Sequence, residues 1–235
     1  MPDAAATSTI DESEILKQLG RVSSLHQIES HDWDPQEWAR SGTLLDRLEA
    51  NLSLARGRLI YEQYLRSGPG GYPAPGADGS PALWFFRRAA QLYRELGEDE
   101  GEREALFWVG VGEQVLHRNY PAALEALGRS RKLAQASGDR LVLSAVERHL
   151  GFIDFLEGRP SEARRHLEES VRLRRELGFS AGVAMGLVAL AELLHEGHQP
   201  DRARQLLEEA TAIAKESRAK GALQAIEQAR GELTR

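Results

Sequence analysis

Small and apolar residues recur along this chain with the spacing of one helix face, and the whole pattern repeats about every 40 residues. Ala123, Leu127 and Ser130 lie at i, i+4 and i+7, which is one face of an α-helix. The same face returns at positions 82, 86 and 89, at 163, 167 and 170, and at 203, 207 and 210. We therefore predict a repeated helix whose small residues allow a neighbouring helix to approach closely.

Each repeat also contains an earlier apolar helix and clear stop signals. These earlier helices are predicted at 105–116, 141–156 and 181–195. We place Val111, Gly151 and Ala191 at the eighth position of this helix, twelve residues before the first alanine of the shared face. Proline opens or closely precedes the second helix, and glycine at 97, 138 and 178 ends it. The pattern predicts antiparallel helix pairs.

The limits of these patterns predict how the chain is organised. Residues 1–12 are expected to be a disordered tail and 13–42 a helical cap. Within the cap, Pro35 stands at the first helical position of a capping box, and Thr43, at the start of the next region, gives a second helix start. Residues 43–235 form the predicted solenoid, with units at about 43–97, 98–138, 139–178 and 179–218 and a capping helix at 219–235. A Gly/Pro-rich loop at 67–80 interrupts the first unit, either as a passive insertion or as a lid.

The repeat resembles the tetratricopeptide repeat. Small residues at positions eight, twenty and twenty-seven, a glycine turn and two antiparallel helices carry the resemblance, which covers about 43–235. Residues 167–178 are similar to the longer repeats of bacterial signalling and transcriptional regulators, and the period is 40 residues rather than 34. The resemblance implies an all-α protein, a right-handed α-solenoid of stacked antiparallel helix pairs in which the first helix of each pair lines a concave face.

Positions two, five, nine and twelve of the first helices supply the candidate binding residues on that implied face. Aromatic rings there can anchor a partner, and Arg58 and Arg148 can pair with a carboxylate or phosphate. Two other interpretations stay open: the aromatic residues belong to the core, and Arg148 forms an ion pair with Glu192. The candidate partner-binding residues are Arg58, Tyr61, Trp108, Arg148, Phe152, Phe155, Met185, Glu192 and His195.

Composition narrows the function classes. The net charge of −6 and the pI of about 5.7 argue against a nucleic-acid binder. The absence of cysteine removes disulfides and thiolate chemistry and fits a cytoplasmic location. No apolar run reaches the length of a membrane span, and the first residues lack the basic and apolar regions of a secretory signal. We expect neither nucleic acid nor membrane as a partner.

The leading hypothesis is a noncatalytic module that binds a peptide or protein segment, with no cofactor and no metal. No nucleophile elbow or phosphate-binding loop is present, and Glu162 and His166 are expected to be surface partners. One alternative is a sensor or regulatory subunit for a small molecule. Another is a metal-assisted enzyme that uses Glu192, His195 and His198. Self-association through Trp33 and Trp38 is also open.

Overall fold

The computed structural model describes residues 35–68 and 73–233, and every regular element in these ranges is helical. The expected tail and residues 13–34 of the expected cap lie outside the described residues, as do Trp33 and the side chain of Trp38. The described helices are α1 (Pro35–Leu65), α2 (Ser80–Leu96), α3 (Asp99–Gly112), α4 (Tyr120–Ser137), α5 (Arg140–Leu156), α6 (Pro160–Glu176), α7 (Ser180–Glu196), α8 (Pro200–Glu216) and α9 (Lys220–Leu233).

Each helix packs against the next one along the chain, in the manner of a stack of helix pairs. The first helices of the pairs are α1, α3, α5 and α7, the second helices are α2, α4, α6 and α8, and α9 packs against both helices of the last pair. The predicted all-α solenoid is confirmed.

Helix ends follow the chemistry of the local sequence. Proline occupies the first turn of all four second helices, where its missing N–H costs no hydrogen bond. Gly97 and Gly138 adopt the left-handed conformation (φ 69° and 72°), and their N–H groups donate to carbonyls of the last helical turn. The predicted glycine stops are therefore confirmed. The last pair makes the same kind of turn at Arg218 (φ 54°) without glycine.

Helix α1 runs without a break through Thr43, so the predicted second helix start there is wrong. The Thr43 hydroxyl donates to the carbonyl oxygen of Ala39 at 3.0 Å, one turn back in the same helix. A threonine can cap a helix or bond back into one, and here the chain before it is already helical.

The close approach within each of the first three pairs is made at a glycine. A Cβ on Gly57 would lie 2.6 Å from the ring of Phe86, and one on Gly151 would lie 2.8 Å from Cγ of Leu167. In the second pair the same contact is made by Gly110, which faces Leu127. The assignment of Val111 to the eighth position is therefore wrong by one residue.

A π-helical turn at Glu113–His117 accounts for this shift. Gly110 precedes Ala123 by thirteen residues, whereas Gly151 precedes Ala163 by twelve. The extra residue is accommodated in the wider turn, which ends at a left-handed Arg118 (φ 52°). One-residue insertions in helices characteristically form such turns.

Buried serines show the same one-residue difference. The hydroxyl of Ser130 donates to the carbonyl oxygen of Arg103 at 2.8 Å, and that of Ser170 donates to the carbonyl oxygen of Ser144 at 2.6 Å. Both bonds join the second helix of a pair to its first helix. The small residue at this position therefore permits close packing and also holds the two helices in register.

Candidate functional site

The predicted binding residues lie on the first helices, and they differ in how far the fold buries them. Arg58 is exposed and Tyr61 is buried. The half-buried members are Trp108, Arg148, Phe152, Phe155, Met185, Glu192 and His195. The group is therefore a partly covered strip across α1, α3, α5 and α7, which we call the inner stripe.

Trp108 joins α3 to α1 at one end of the stripe. Its ring lies 5.8 Å from that of Tyr61 in an edge contact and is stacked 5.5 Å from that of Phe86. The guanidinium of Arg58 lies 5.5 Å over the Trp108 ring and donates to Oε1 of Glu104 at 3.1 Å. Burial raises the pKa of Tyr61 to about 12, so its hydroxyl stays protonated. These residues already have partners within the fold.

Trp108 and His149 occupy equivalent places once Gly110 is taken as the eighth position of α3. His149 also packs against the preceding first helix, with Nδ1 2.7 Å from Oε1 of Gln114 and its ring 5.5 Å from that of Phe107. Burial, together with two nearby arginines, lowers the pKa of His149 to about 3. The neutral ring therefore donates from Nδ1 to Gln114. The sequence prediction numbered the positions of α3 from Val111 instead of Gly110, so it did not match His149 with Trp108.

Arg148 is the most unusual charge on the stripe. Its guanidinium lies 4.6 Å from the Phe152 ring centroid, and its Nε is buried without a hydrogen-bond partner among the described residues. Burial lowers its pKa, while the charge of Glu192 acts in the opposite direction. A cation is thus held against an aromatic ring with one of its donors unused.

The far end of the stripe contains apolar residues and one histidine. Phe152, Phe155 and Met185 pack against the large apolar core that is built mainly from α6, α7 and α8. Nδ1 of His195 is buried and has no hydrogen-bond partner within the described part of the chain. Phe152, whose ring contacts Arg148, therefore shares a packed apolar region with Phe155 and Met185.

Arg174 is a second buried cation near Arg148, and its burial could not be predicted from the sequence. It lies on α6, in a run of charged residues that predicts a solvated surface. Its Nη1 donates to the carbonyl oxygen of Gly182 at 2.9 Å. Burial, followed by repulsion from Arg148, lowers the pKa of Arg174 to about 10. Positive charge is therefore concentrated between α5, α6 and α7.

His166 is not the surface partner of Glu162 that the sequence suggests. It is buried between α5 and α6, with Nδ1 2.5 Å from Oε2 of Glu147 and Nε2 3.5 Å from Oδ2 of Asp154. Arg131 and Arg159 contact the same two carboxylates at 2.7 Å. The five side chains form a paired polar network that joins α4, α5 and α6.

In the ranges that the structure describes, no group of three or more His, Cys, Asp or Glu side chains could hold a metal ion. Glu192, His195 and His198, the residues of the metal-assisted alternative, do not form such a group. None of the described helices combines the length and the apolar character that crossing a membrane requires.

Comparison with known proteins agrees with the geometry. Residues 142–216 match the family model described as tetratricopeptide repeat, a segment that runs from α5 through α8. A search of curated proteins gives no significant match. The matched segment is therefore similar to tetratricopeptide repeats, and the helix pairs before it stack in the same way.

Proposed function

We propose that this protein is a noncatalytic interaction module that holds a peptide or protein segment along the inner stripe. Tetratricopeptide repeats generally mediate protein–protein interactions, and stacked repeats create extended concave surfaces. The observation that carries the proposal is Arg148, a cation beside Phe152 whose buried Nε finds no acceptor in the part of the chain that the structure describes.

The chemistry around Arg148 favours an acidic group in the partner. A buried donor without an acceptor is costly, and a carboxylate can accept two parallel bonds from one guanidinium. Phe155 and Met185 pack on the same apolar core as Phe152 and offer apolar contacts to a partner segment. The partner segment we expect therefore carries an aspartate, a glutamate or a free C-terminus next to an apolar side chain.

A random peptide library displayed on phage, selected against the full chain, tests this proposal. We expect enriched peptides to carry an acidic residue beside an apolar one. Their affinity should fall at least about tenfold in the Arg148→Gln variant, because tenfold corresponds to about 1.4 kcal/mol and a charged hydrogen bond is usually worth more than that. It should fall at least about tenfold in the Phe155→Ala variant as well, because apolar contact is lost. Trp108 packs on Tyr61 and Phe86 and Phe155 packs on the apolar core, so a variant of either residue requires a check of folding by circular dichroism.

The matched control is Arg164→Gln, which removes an arginine from the exposed face of α6, where it pairs with Glu168. This variant should bind the selected peptides as the unchanged protein does. Equal affinity of folded Arg148→Gln and unchanged protein for every selected peptide would reject the stripe as the binding surface. Selection of peptides without acidic groups would reject the chemistry assigned to Arg148.

A further inference from the structure

A cleft of about 360 Å³ lies between α2, α3 and α4, away from the inner stripe. Leu106 and Val109 of α3 line it together with Glu113 of the π-helical turn, and with 3.6 residues per turn the two α3 residues face a different side of the helix from Trp108. The volume falls in the range of small-molecule pockets. The cleft is therefore a candidate site that is independent of the proposed peptide-binding function.

Two arginines of the cleft are oriented by one buried carboxylate. Nε of Arg94 and Nη2 of Arg129 contact the same oxygen of Glu102, at 2.9 Å and 2.7 Å. The Glu102 side chain is 6% exposed, whereas the two arginine side chains are 51% and 44% exposed. Two guanidinium groups over a single carboxylate leave a net positive charge that faces the solvent. The carboxylate also holds the two guanidinium groups in place, so their remaining N–H groups can donate to an anionic group.

Glu113 gives the cleft an unused acceptor. Its side chain is 2% exposed, its Oε1 is paired with Arg87, and its Oε2 has no hydrogen-bond partner among the described residues. Nδ1 of His117 lies 3.4 Å from that oxygen but without hydrogen-bond geometry. A buried carboxylate oxygen without a donor is costly, so this position suits a ligand that brings one. Glu113 also opens the π-helical turn, a feature frequent at functional sites.

We propose that this cleft binds a small zwitterion, with an ammonium and a carboxylate on an apolar frame. The carboxylate lies between Arg94 and Arg129, the ammonium donates to Glu113, and the frame contacts Leu106 and Val109. Arg87 is more than half exposed, so its guanidinium shifts along the rim of the cleft to admit the ammonium and remains part of the site.

The charges of the site fit a ligand without net charge. The cleft is lined by Arg87, Arg94, Arg129, Glu113 and Glu125, and Glu102 lies beneath two of the arginines. Three positive and three negative side chains balance, so a zwitterion satisfies both signs and adds no net charge to the site. A free amino acid and a short peptide with free termini share this chemistry.

Isothermal titration of the full chain with L-leucine and with the dipeptide Leu-Leu tests the proposal and distinguishes these two sources. We expect one of them to bind, and its affinity to fall at least tenfold when the amine is acetylated or the carboxylate is converted to an amide. Absence of binding by both compounds at millimolar concentration would overturn the proposal. Equal binding of the capped compounds would overturn it as well.

Two substitutions locate the binding. Arg129→Gln and Glu113→Gln should each weaken the zwitterion at least tenfold, whereas Arg164→Gln and Glu168→Gln, on the exposed face of α6, should leave its affinity unchanged. Glu113 is buried and its variant requires a check of folding by circular dichroism. Arg129 is nearly half exposed, so its variant tests the site without that difficulty. Unchanged affinity in folded Arg129→Gln would refute the assignment.

Discussion

Gly110 of α3 lies so close to Leu127 of α4 that a methyl group on Gly110 would be 2.5 Å from Leu127 Cγ. The same methyl group would be 3.3 Å from the carbonyl oxygen of Ala123. Leu127 is fully buried and cannot move aside freely. The crossing of these two helices therefore depends on the absence of a side chain at position 110.

Replacing Gly110 with alanine should destabilise the protein by up to about 2 kcal/mol. Alanine improves helix propensity by about 1 kcal/mol, but overpacking a tight core typically costs 1–3 kcal/mol and can exceed this gain. Urea unfolding followed by circular dichroism measures the difference.

The matched control is Gly128→Ala in the interior of α4, where a new methyl group would meet nothing within 4 Å. That variant should be more stable by about 0.5–1 kcal/mol, from helix propensity alone. A gain in stability for Gly110→Ala as well would show that the close contact is not limiting.

Arg218 marks the one unit end whose expected glycine is absent. It adopts a left-handed backbone conformation (φ 54°), as Gly97 and Gly138 do at earlier ends. The left-handed conformation destabilises the folded protein by about 1–2 kcal/mol when the residue has a side chain. Glycine removes this strain, but its greater conformational freedom stabilises the unfolded chain and offsets part of the gain. Arg218→Gly should therefore raise the free energy of unfolding by about 0.5–1 kcal/mol in urea titrations.

Arg218→Ala separates backbone strain from the loss of the arginine side chain. It keeps a Cβ and so keeps the strain, and we expect no comparable gain. Equal stabilisation by alanine and glycine would assign the effect to the side chain instead.

Regular spacing made the helix pairs predictable, while contacts between distant residues did not show in the sequence. Ala123 and Leu127 recur as Ala163 and Leu167 because the two helices of each pair pack against each other through the same positions. Gly110 and Val111 are neighbours, both compatible with a packed helix, so only the contact with Leu127 reveals the one-residue shift.

The same reasoning explains the results for the candidate site. Arg148 could be singled out as a charge within an apolar helix. Arg174 could not, because its burial depends on α7 packing over it, and its neighbours in sequence are ordinary surface charges. His166 was paired with Glu162 by helical spacing, yet its partner Glu147 lies on another helix.

His149 should make stability fall in mild acid. Its pKa of about 3 in the folded protein lies below the ordinary histidine value of 6.5, so between these two pH values the unfolded chain binds a proton that the folded protein does not. Stability is complete above pH 6.5 and decreases as the pH falls toward 3. From this group alone we expect a loss of about 2 kcal/mol between pH 7 and pH 5.

Urea unfolding at pH 7, 6 and 5 measures this loss, and His149→Gln is the comparison. Glutamine does not titrate, so the variant should lose less stability over this interval than the unchanged protein, even if it is weaker at pH 7. Parallel pH profiles for the two proteins would show that His149 does not set the acid sensitivity.

Glu147 should contribute more to stability than the exposed carboxylates of the same stack. It is 1% exposed and accepts from both His166 and Arg131, and its removal leaves their donors without that acceptor in the interior. Breaking a buried ion pair typically costs 3–5 kcal/mol, and partial exposure of Arg131 reduces this, so we expect about 2–4 kcal/mol for Glu147→Ala. Glu168→Ala removes an exposed carboxylate paired with Arg164 and should change stability by less than about 0.5 kcal/mol. Urea unfolding of both variants measures their losses in free energy of unfolding. Similar losses would mean that the network between α4, α5 and α6 contributes no more to stability than an ordinary surface ion pair.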